Sequence, residues 1–366
     1  MAQTSRQIFN SQMHFHNFER CFFMEDDFTG ETFQKWPVFR DNGITNRRAA
    51  LDWFGMDVLF NAWGYDIESP TFLLPWFERE IISETENTVI VRGGYGALEE
   101  KFKDGRDGGR MFQPVVVTPE DWARVKGERF VVGDPRREMN ISQIKNRIQY
   151  REDMPFALFI GSLIGMSRLM LTFEEAVYAC YDYPEMIEDM VETNCQLIER
   201  YLEQMLPHFP TDIAFVYENI TCRNGPTIPV WVVRDIVAPR LKRVCDKLKS
   251  FGIGLISVGS DGDVRPLLPI FLDCGVNCLS PCEAGPGGVR PGVLLDEYRG
   301  ALRILGAVDK HIFHRGKEAI DAYLSSIASY VRRGGFIPHV DHTVYPEMGQ
   351  ENYLYYLCKL KNILDL

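Results

Sequence analysis

The sequence has no long uncharged run. Its longest, MPFALFIGSLIGMS at 154–167, at about 1.5 Å per residue falls short of the roughly 30 Å hydrocarbon core of a bilayer. It reads as a buried strand plus loop, and no membrane partner is expected. No block of five or six basic residues occurs, and 40 Lys plus Arg against 51 Asp plus Glu give 40 − 51 = −11. An acidic surface repels phosphate backbones and anionic headgroups, so nucleic acid is not an expected partner either. The opening MAQTSRQIFNSQMHFHNFERCFF lacks a basic segment followed by an apolar core and a small-residue cleavage site; no export signal is expected, and the cytoplasm is the expected location. CxxC is absent, and the nine cysteines form no regular framework, which points to reduced thiols, most of them small buried hydrophobes. HExxH, HxC and GxxxxGK[ST] are missing too, and the Gly-rich RDGGRM, AGPGGVRPG and RRGGF read as turns. There is no Pro/Ser-rich linker, low-complexity tract or charge block.

What is present is an ordinary globular composition, 45% hydrophobic and 25% charged over 366 residues, which excludes disordered, collagenous and coiled-coil architectures. The second half repeats one grammar: an apolar β-type run, a polar cluster, then an amphipathic helical stretch. The runs are TDIAFVYEN (211–219), GIGLISVGSDGD (252–263), GVNCLSPCEAG (275–285), LRILGAVDK (302–310) and GGFIPHVDH (334–342). Nearly continuous apolar strands belong to a sheet covered on both faces, and the helical segments between them suit right-handed parallel crossovers. Helices are expected at PVWVVRDIVAPRLKRVCDKLKSFG, PGVLLDEYRG and KEAIDAYLSSIASYVRRGG. FALFIGSLIG, followed by a long helical stretch broken near Asp182 to Pro184, adds a further unit. Residues 86–118 carry β-rich segments around a Gly-Gly pair, the pattern of a β-hairpin insertion. Successive βα units favour an α/β fold of the (β/α)8 TIM-barrel class, one domain over 1–366 with 1–120 as an N-terminal extension and 150–366 as its regular part.

In such folds the active site lies at the carboxyl ends of the strands. There the five runs place Glu218 and Arg223, Asp261 and Asp263, Cys282 and Glu283, Asp309 and Lys310, and Asp341 and His342. An acid after a strand can also be a helix N-cap or a solvated loop group, but five strands delivering ionisable groups to one rim point to a functional cluster. His342 and His339, in HVDHT, are candidates for metal or acid–base work or are hydrogen-bonded structural histidines. Asp261, held by the turn at Gly262, can ligate a metal or handle a proton. Cys282 beside Glu283 offers a soft and a hard ligand together. The aromatic-rich FERCFFMEDDFTGETFQKWPVF and LDWFGMDVLFNAWGYDI line an apolar pocket or plug one end of the fold, core packing being the expectation for most of their rings.

The combination of NGPTIPVWVVRDIVAPRLKRV, SDGDVRPLLP with CGVN, GPGGV, GAVDK with RGKEAI, and GGFIPHVDHTVYPEMGQENYLYYL resembles the uroporphyrinogen decarboxylase superfamily. FQPVVVTPEDWARVK and GYGALEEKF in the first half extend the resemblance over nearly the whole chain, and it implies a (β/α)8 barrel with an N-terminal extension. True porphyrinogen decarboxylases carry a PVWxMRQAGRY-like segment whose arginines grip tetrapyrrole carboxylates. Here FMEDDFTGETFQKWPVFRDNG stands in its place, acidic where propionates would bind. The corrinoid-dependent methyltransferases of the superfamily bind zinc through His-x-Cys and a later Cys, positions that fall on Gly259, Asp261 and His342. The SDG and DH motifs are similar to those of the branch that acts on methyl ethers such as methoxylated aromatics.

The resemblance therefore implies a methyltransferase moving a methyl group from a small O-methyl donor to a corrinoid carried by a partner protein. Glu218, Asp261, Glu283 and His342 are the expected catalytic groups. Arg223, Asp263, Lys310 and Asp341 are expected to bind substrate, and zinc, if used, to sit on Asp261, His342 and Cys282. Two alternatives stay open: a decarboxylase of a non-porphyrin substrate whose carboxylate meets Arg223 or Lys310, and a non-catalytic corrinoid- or tetrapyrrole-binding protein.

Overall fold

The computed structural model describes residues 2–67, 73–103, 109–285 and 289–365. Its centre is a six-stranded parallel sheet. The apolar runs form β5 (Ala157–Gly161), β6 (Ile213–Tyr217), β7 (Ile256–Gly259), β8 (Cys278–Cys282), β9 (Arg303–Val308) and β10 (Phe336–Val340). They pair in sequence order, each parallel to the next. Helices cover the sheet between strands, among them Pro184–Met205, Ala238–Ser250 and Lys317–Arg333. Every strand is buried almost throughout, which is why the runs read as continuously apolar rather than alternating. The expected break at Asp182 to Pro184 is real: one helix ends at Asp182 and the next begins at Pro184, whose ring fits a first helical turn.

The expected hairpin is larger than its sequence pattern. Glu80–Glu84 (β1), Thr88–Arg92 (β2), Leu98–Phe102 (β3) and Arg110–Gln113 (β4) form a four-stranded antiparallel sheet. β1 has all five residues exposed, so it carries no hydrophobic alternation by which to be found. Residues 104–108, which include the start of RDGGRM, and Pro286–Gly288 of the GPGGV segment lie outside the described residues.

Two N-terminal stretches run beside the free edges of the parallel sheet. At the β5 edge Phe60 bridges Phe156 in parallel, with Phe60 N–H donating to the Pro155 carbonyl (2.9 Å) and Ala157 N–H to the Phe60 carbonyl (2.8 Å). At the β10 edge side chains replace a backbone ladder. The buried Gln12 amide donates to the Phe336 carbonyl (2.8 Å) and accepts from Phe22 N–H (2.7 Å). The Glu25 carboxylate accepts from Val340 N–H (3.2 Å) and Asp26 N–H (3.1 Å). Between the two stretches, Asp57 N–H donates to the Phe23 carbonyl (2.6 Å), and the Asp57 carboxylate accepts from Phe23 N–H (2.9 Å) and pairs with Arg20 (2.6 Å).

Two apolar clusters result. The larger packs the helices on one face of the sheet. The smaller joins Ala157, Ile213, Phe215, Leu255, Cys278, Leu305 and Ile337 to Phe22, Met24 and Leu59, and Ile8, Phe9 and Met13 of the first helix, Ser5–Met13, pack against it. That helix begins at a capping box between Thr4 and Gln7. Residues from both edge strands therefore meet in one cluster. Among the described residues no helix is long and apolar enough to cross a membrane, and all nine cysteines are unpaired.

The edge arrangement is testable. Gln12→Met keeps the side-chain length but strands two buried backbone groups, each worth about 1–3 kcal/mol, so stability measured by urea unfolding should fall by roughly 2–5 kcal/mol. Lys242→Ala, which breaks an exposed pair with Asp246, should change it by less than about 0.5 kcal/mol. Equal effects would show that the β10 edge does not depend on Gln12.

Candidate active site

Side chains alternate along a strand, so Tyr217 shares the face of Phe215, and Phe159 that of Ala157. At the carboxyl ends of the strands these rings and Trp63 surround a cavity of about 290 Å³, completed by Asp26, Tyr65, Asp261, Pro281, His342 and Thr343. Phe159 and Tyr217 are partly exposed while the other residues of their strands are buried, and the surface they expose is cavity wall. A larger cleft of about 670 Å³ lies between residues 284–285 and 289–293 on one side and the helix Lys317–Arg333 on the other, with Arg290, Asp309 and Arg315 on its walls. It holds only Asp309 of the strand-end residues, so the smaller cavity is the better candidate.

Trp63 reaches this position through backbone strain. Asn61 and Trp63 both hold φ 56°, a left-handed conformation costing on the order of 1 kcal/mol or more for a non-glycine residue. The Asn61 side chain offsets that cost by accepting from Ile67 N–H (2.7 Å) and donating to the Ala157 carbonyl (3.1 Å), while Asp66 accepts from Asn61 N–H (2.6 Å). The indole then packs 4.9 Å from the Phe215 ring and 5.4 Å from Tyr217, and its N–H donates to Asp26 (2.7 Å). Gly259 makes the room: a Cβ there would stand 2.9 Å from Trp63 and 2.6 Å from the Ser280 carbonyl. Gly259, the position onto which the sequence resemblance maps a zinc-binding histidine, is thus filled by ring and backbone.

Asp261 projects into the cavity from a clamped turn. Gly262 takes φ +74° and its N–H donates to Glu283 (2.5 Å), and the Thr221 hydroxyl bonds the Asp261 carbonyl. Burial, then the neighbouring Glu283, raises the Asp261 pKa, with His342, Lys310 and Arg168 pulling the other way. Burial, then the nearby Asp261, raises the Tyr217 pKa well above its ordinary value. Beside Asp261, Glu283 and Lys310 form an ion pair at 2.6 Å. Burial opposes both charges, but the pairing outweighs it, so Glu283 lies below and Lys310 above its ordinary pKa. Asp341 is buried and accepts from Ala284 N–H (2.8 Å) and Lys310 N–H (3.1 Å). Burial outweighs those bonds and pushes it up to about 7.

The sequence-predicted residues therefore separate. Asp261 and His342 line the cavity, and Glu283, Lys310 and Asp341 stand behind it as a hydrogen-bonded base. Glu218 is fully buried, with both oxygens accepting from Ser162 Oγ (2.8 Å) and from the backbone of Leu163 (2.9 Å), Ile164 (3.0 Å) and Gly165 (3.1 Å). It anchors the loop after β5. Asp263 pairs with Arg265 at 2.7 Å, and Arg223 is exposed on a turn outside the cavity. His339 is buried against Glu25, Nδ1 to Oε1 3.5 Å, and Tyr353 also donates to Glu25 (3.1 Å).

Cys282 does not join Asp261 and His342. The register of β8 shifts between Leu279 and Cys282, so its thiol packs into the larger apolar cluster. Burial there raises its pKa far above the ordinary thiol range. Among the described residues no three His, Cys, Asp or Glu side chains come together as metal ligands. The expected zinc set does not fit, and no chemistry is routed through a metal.

Asp26, Phe159 and Tyr217 carried no expected role, while Trp63 and Tyr65 belong to a stretch expected to line an apolar pocket or plug one end of the fold. Period-two counting from Phe215 and Ala157 would have found the two strand rings. Asp26 and Trp63 sit in irregular segments far from their partners in sequence.

A solved methyltransferase from Methanosarcina mazei matches the fold with a TM-score of 0.60 at 12% identity, covering 99% of this chain and 98% of its own. A Burkholderia cenocepacia J2315 protein described as a phosphonomutase covers 69% of this chain and 93% of its own, at 14% identity and a TM-score of only 0.26. No family model and no curated protein matches the chain.

Asp341 supplies a pH test. Its folded pKa of about 7 lies above the ordinary 3.8, so folding favours the protonated acid. Its contribution is then complete below 3.8, declines as pH rises through the interval up to about 7, and levels off beyond. Asp341→Asn should flatten that part of the pH–stability profile and remove a carbon-13 carboxyl signal titrating near neutrality. A carboxyl at this position titrating near its ordinary value would contradict the assignment.

Proposed function

We propose that the chain is a methyltransferase that passes a methyl group from a small donor in the Trp63–Asp261 cavity to the cobalt of a corrinoid carried by a partner protein. The observation that carries this reading is the placement of Asp261 and His342 on an aromatic cavity at the carboxyl ends of parallel strands, where βα folds hold their chemistry. The fold likeness to the Methanosarcina methyltransferase supports the same class. We read the six-stranded sheet and the two N-terminal stretches along its edges as the eight staves of a barrel, with the smaller apolar cluster as its interior.

Cob(I)alamin is a strong nucleophile, so the protein's task is to position the methyl carbon in line with cobalt and to receive the leaving group. The cobalt electron pair forms the new cobalt–carbon bond as the carbon–heteroatom bond breaks, its pair staying on the heteroatom. An O-methyl donor, the class implied by the sequence resemblance, leaves as an oxyanion, and Asp261 with its raised pKa is placed to protonate it. An ammonium donor leaves as a neutral amine and needs no proton, so Asp261 then contributes charge alone. The decarboxylase alternative gains no support, because Lys310 is committed to Glu283 and neither it nor Arg223 lines the cavity.

The test incubates the protein with a reduced corrinoid protein and a panel of methoxyaromatics, small methyl ethers and methylated amines, and follows methylcobalamin absorbance. At least one donor should give turnover, and with an O-methyl donor Asp261→Asn should slow it by roughly 10² or more. Carbon dioxide release without corrinoid, or corrinoid binding without methyl transfer across the panel, would overturn the reading.

A further inference from the structure

The walls of the cavity carry more information than its depth. Trp63, Tyr65, Phe159 and Tyr217 contribute four aromatic rings, and Asp26 and Asp261 contribute two carboxyl groups. No lysine or arginine lines it. Neither Asp26 nor Asp261 has an ion-pair partner among the described residues; Asp26 accepts from the Trp63 indole N–H (2.7 Å), and Tyr217 stands beside Asp261 on the same wall. Lys310, the nearest ammonium of the base, is taken by Glu283. Tyr65 already receives one cation, the Arg47 guanidinium 5.2 Å from its ring centroid.

Aromatic rings present a negative face to whatever they enclose, and two unpaired acids add to it. A neutral arene would stack on these walls but would bring no charge to Asp26, and would leave Asp261 only His342, Lys310 and Arg168, none of them in ion-pair contact with it. Burying unpaired charge costs more than stacking returns. A permanent cation without N–H groups satisfies both features, since it needs negative potential on all sides and no hydrogen-bond acceptor at a fixed angle.

We infer that the cavity bounded by Trp63, Tyr65, Phe159, Tyr217, Asp26 and Asp261 is a binding site for a quaternary ammonium group, and that the methyl donor is a small methylated ammonium compound. The use of the site as a donor site rests on the methyl-transfer reading; the cation preference rests on the walls. The step balances: an R–N(CH3)3 cation meets Co(I), the cobalt pair forms the Co–CH3 bond, the C–N pair stays on nitrogen, and the products are a neutral tertiary amine and methyl-Co(III). No proton is consumed.

The experiment compares choline with its uncharged isostere 3,3-dimethylbutan-1-ol by calorimetry on the full chain, without corrinoid. Choline should bind about tenfold or more tightly. Asp26→Asn, which keeps an acceptor for the Trp63 indole, and Tyr65→Leu, at a half-exposed position, should each erase most of that preference, bringing choline binding close to that of the isostere. Equal binding of the two, or binding of methoxybenzene but not choline, would overturn the inference and leave methyl transfer standing. Preferential choline binding with no transfer from it or tetramethylammonium to the reduced corrinoid protein would uphold the cation site and overturn its use as a donor site.

Discussion

The polar seam along the edges of the parallel sheet is the constraint on which the rest of the site depends. A sheet edge leaves a row of unpaired N–H and C=O groups, and buried groups of this kind must find partners. Gln12 and Glu25 supply them from side chains at the β10 edge, where the N-terminal stretch is too irregular to form a ladder, and Asp57 ties the two N-terminal stretches together. The same bonds fix the register of those stretches, and Asp26 is the residue directly after Glu25. Asn61 plays the corresponding part beside β5 and sets the strained turn that delivers Trp63. Edge satisfaction and site assembly are thus one event: a third of the residues lining the cavity come from segments whose primary task is to cap a sheet.

Behind the cavity, charge is arranged so that the front stays unneutralised. Glu283 and Lys310 cancel each other, and Glu283 also takes the Gly262 N–H, which fixes the turn presenting Asp261. Asp341 holds the backbone of Ala284 and Lys310 in place. These groups orient; they do not line the cavity. Glu218 does the same for the loop after β5. Ionisable residues at strand ends therefore divide between those that build the rim and those that face the cavity, and only Asp261 and His342 of the expected set do the latter.

Much of the fold was legible because parallel strands covered on both faces advertise themselves as continuous apolar runs, and all five runs of the second half became strands. Amphipathic patterning marked the helices between them for the same local reason. The site was legible only in part. Asp261 and His342 follow strands directly, so position along the chain was enough. Glu218 follows a strand too, but four donors gathered from residues 162–165 consume it, and no local pattern shows that. Cys282 was misplaced because a shift in strand register moves its side chain to the outer cluster. Asp26 and Trp63 depend on contacts between distant irregular segments, and the exposed β1 carried no periodicity.

The central claim is that a methyl group held between the aromatic wall and Asp261 passes to cobalt. A single turnover with perdeuterated tetramethylammonium and a reduced corrinoid protein, read by mass spectrometry of the extracted cofactor, tests it most directly. The account requires a CD3 group on cobalt in amounts comparable to active sites, and its loss in Asp261→Asn. Unlabelled cobalt with the donor recovered intact, under conditions where the donor is bound, would contradict it.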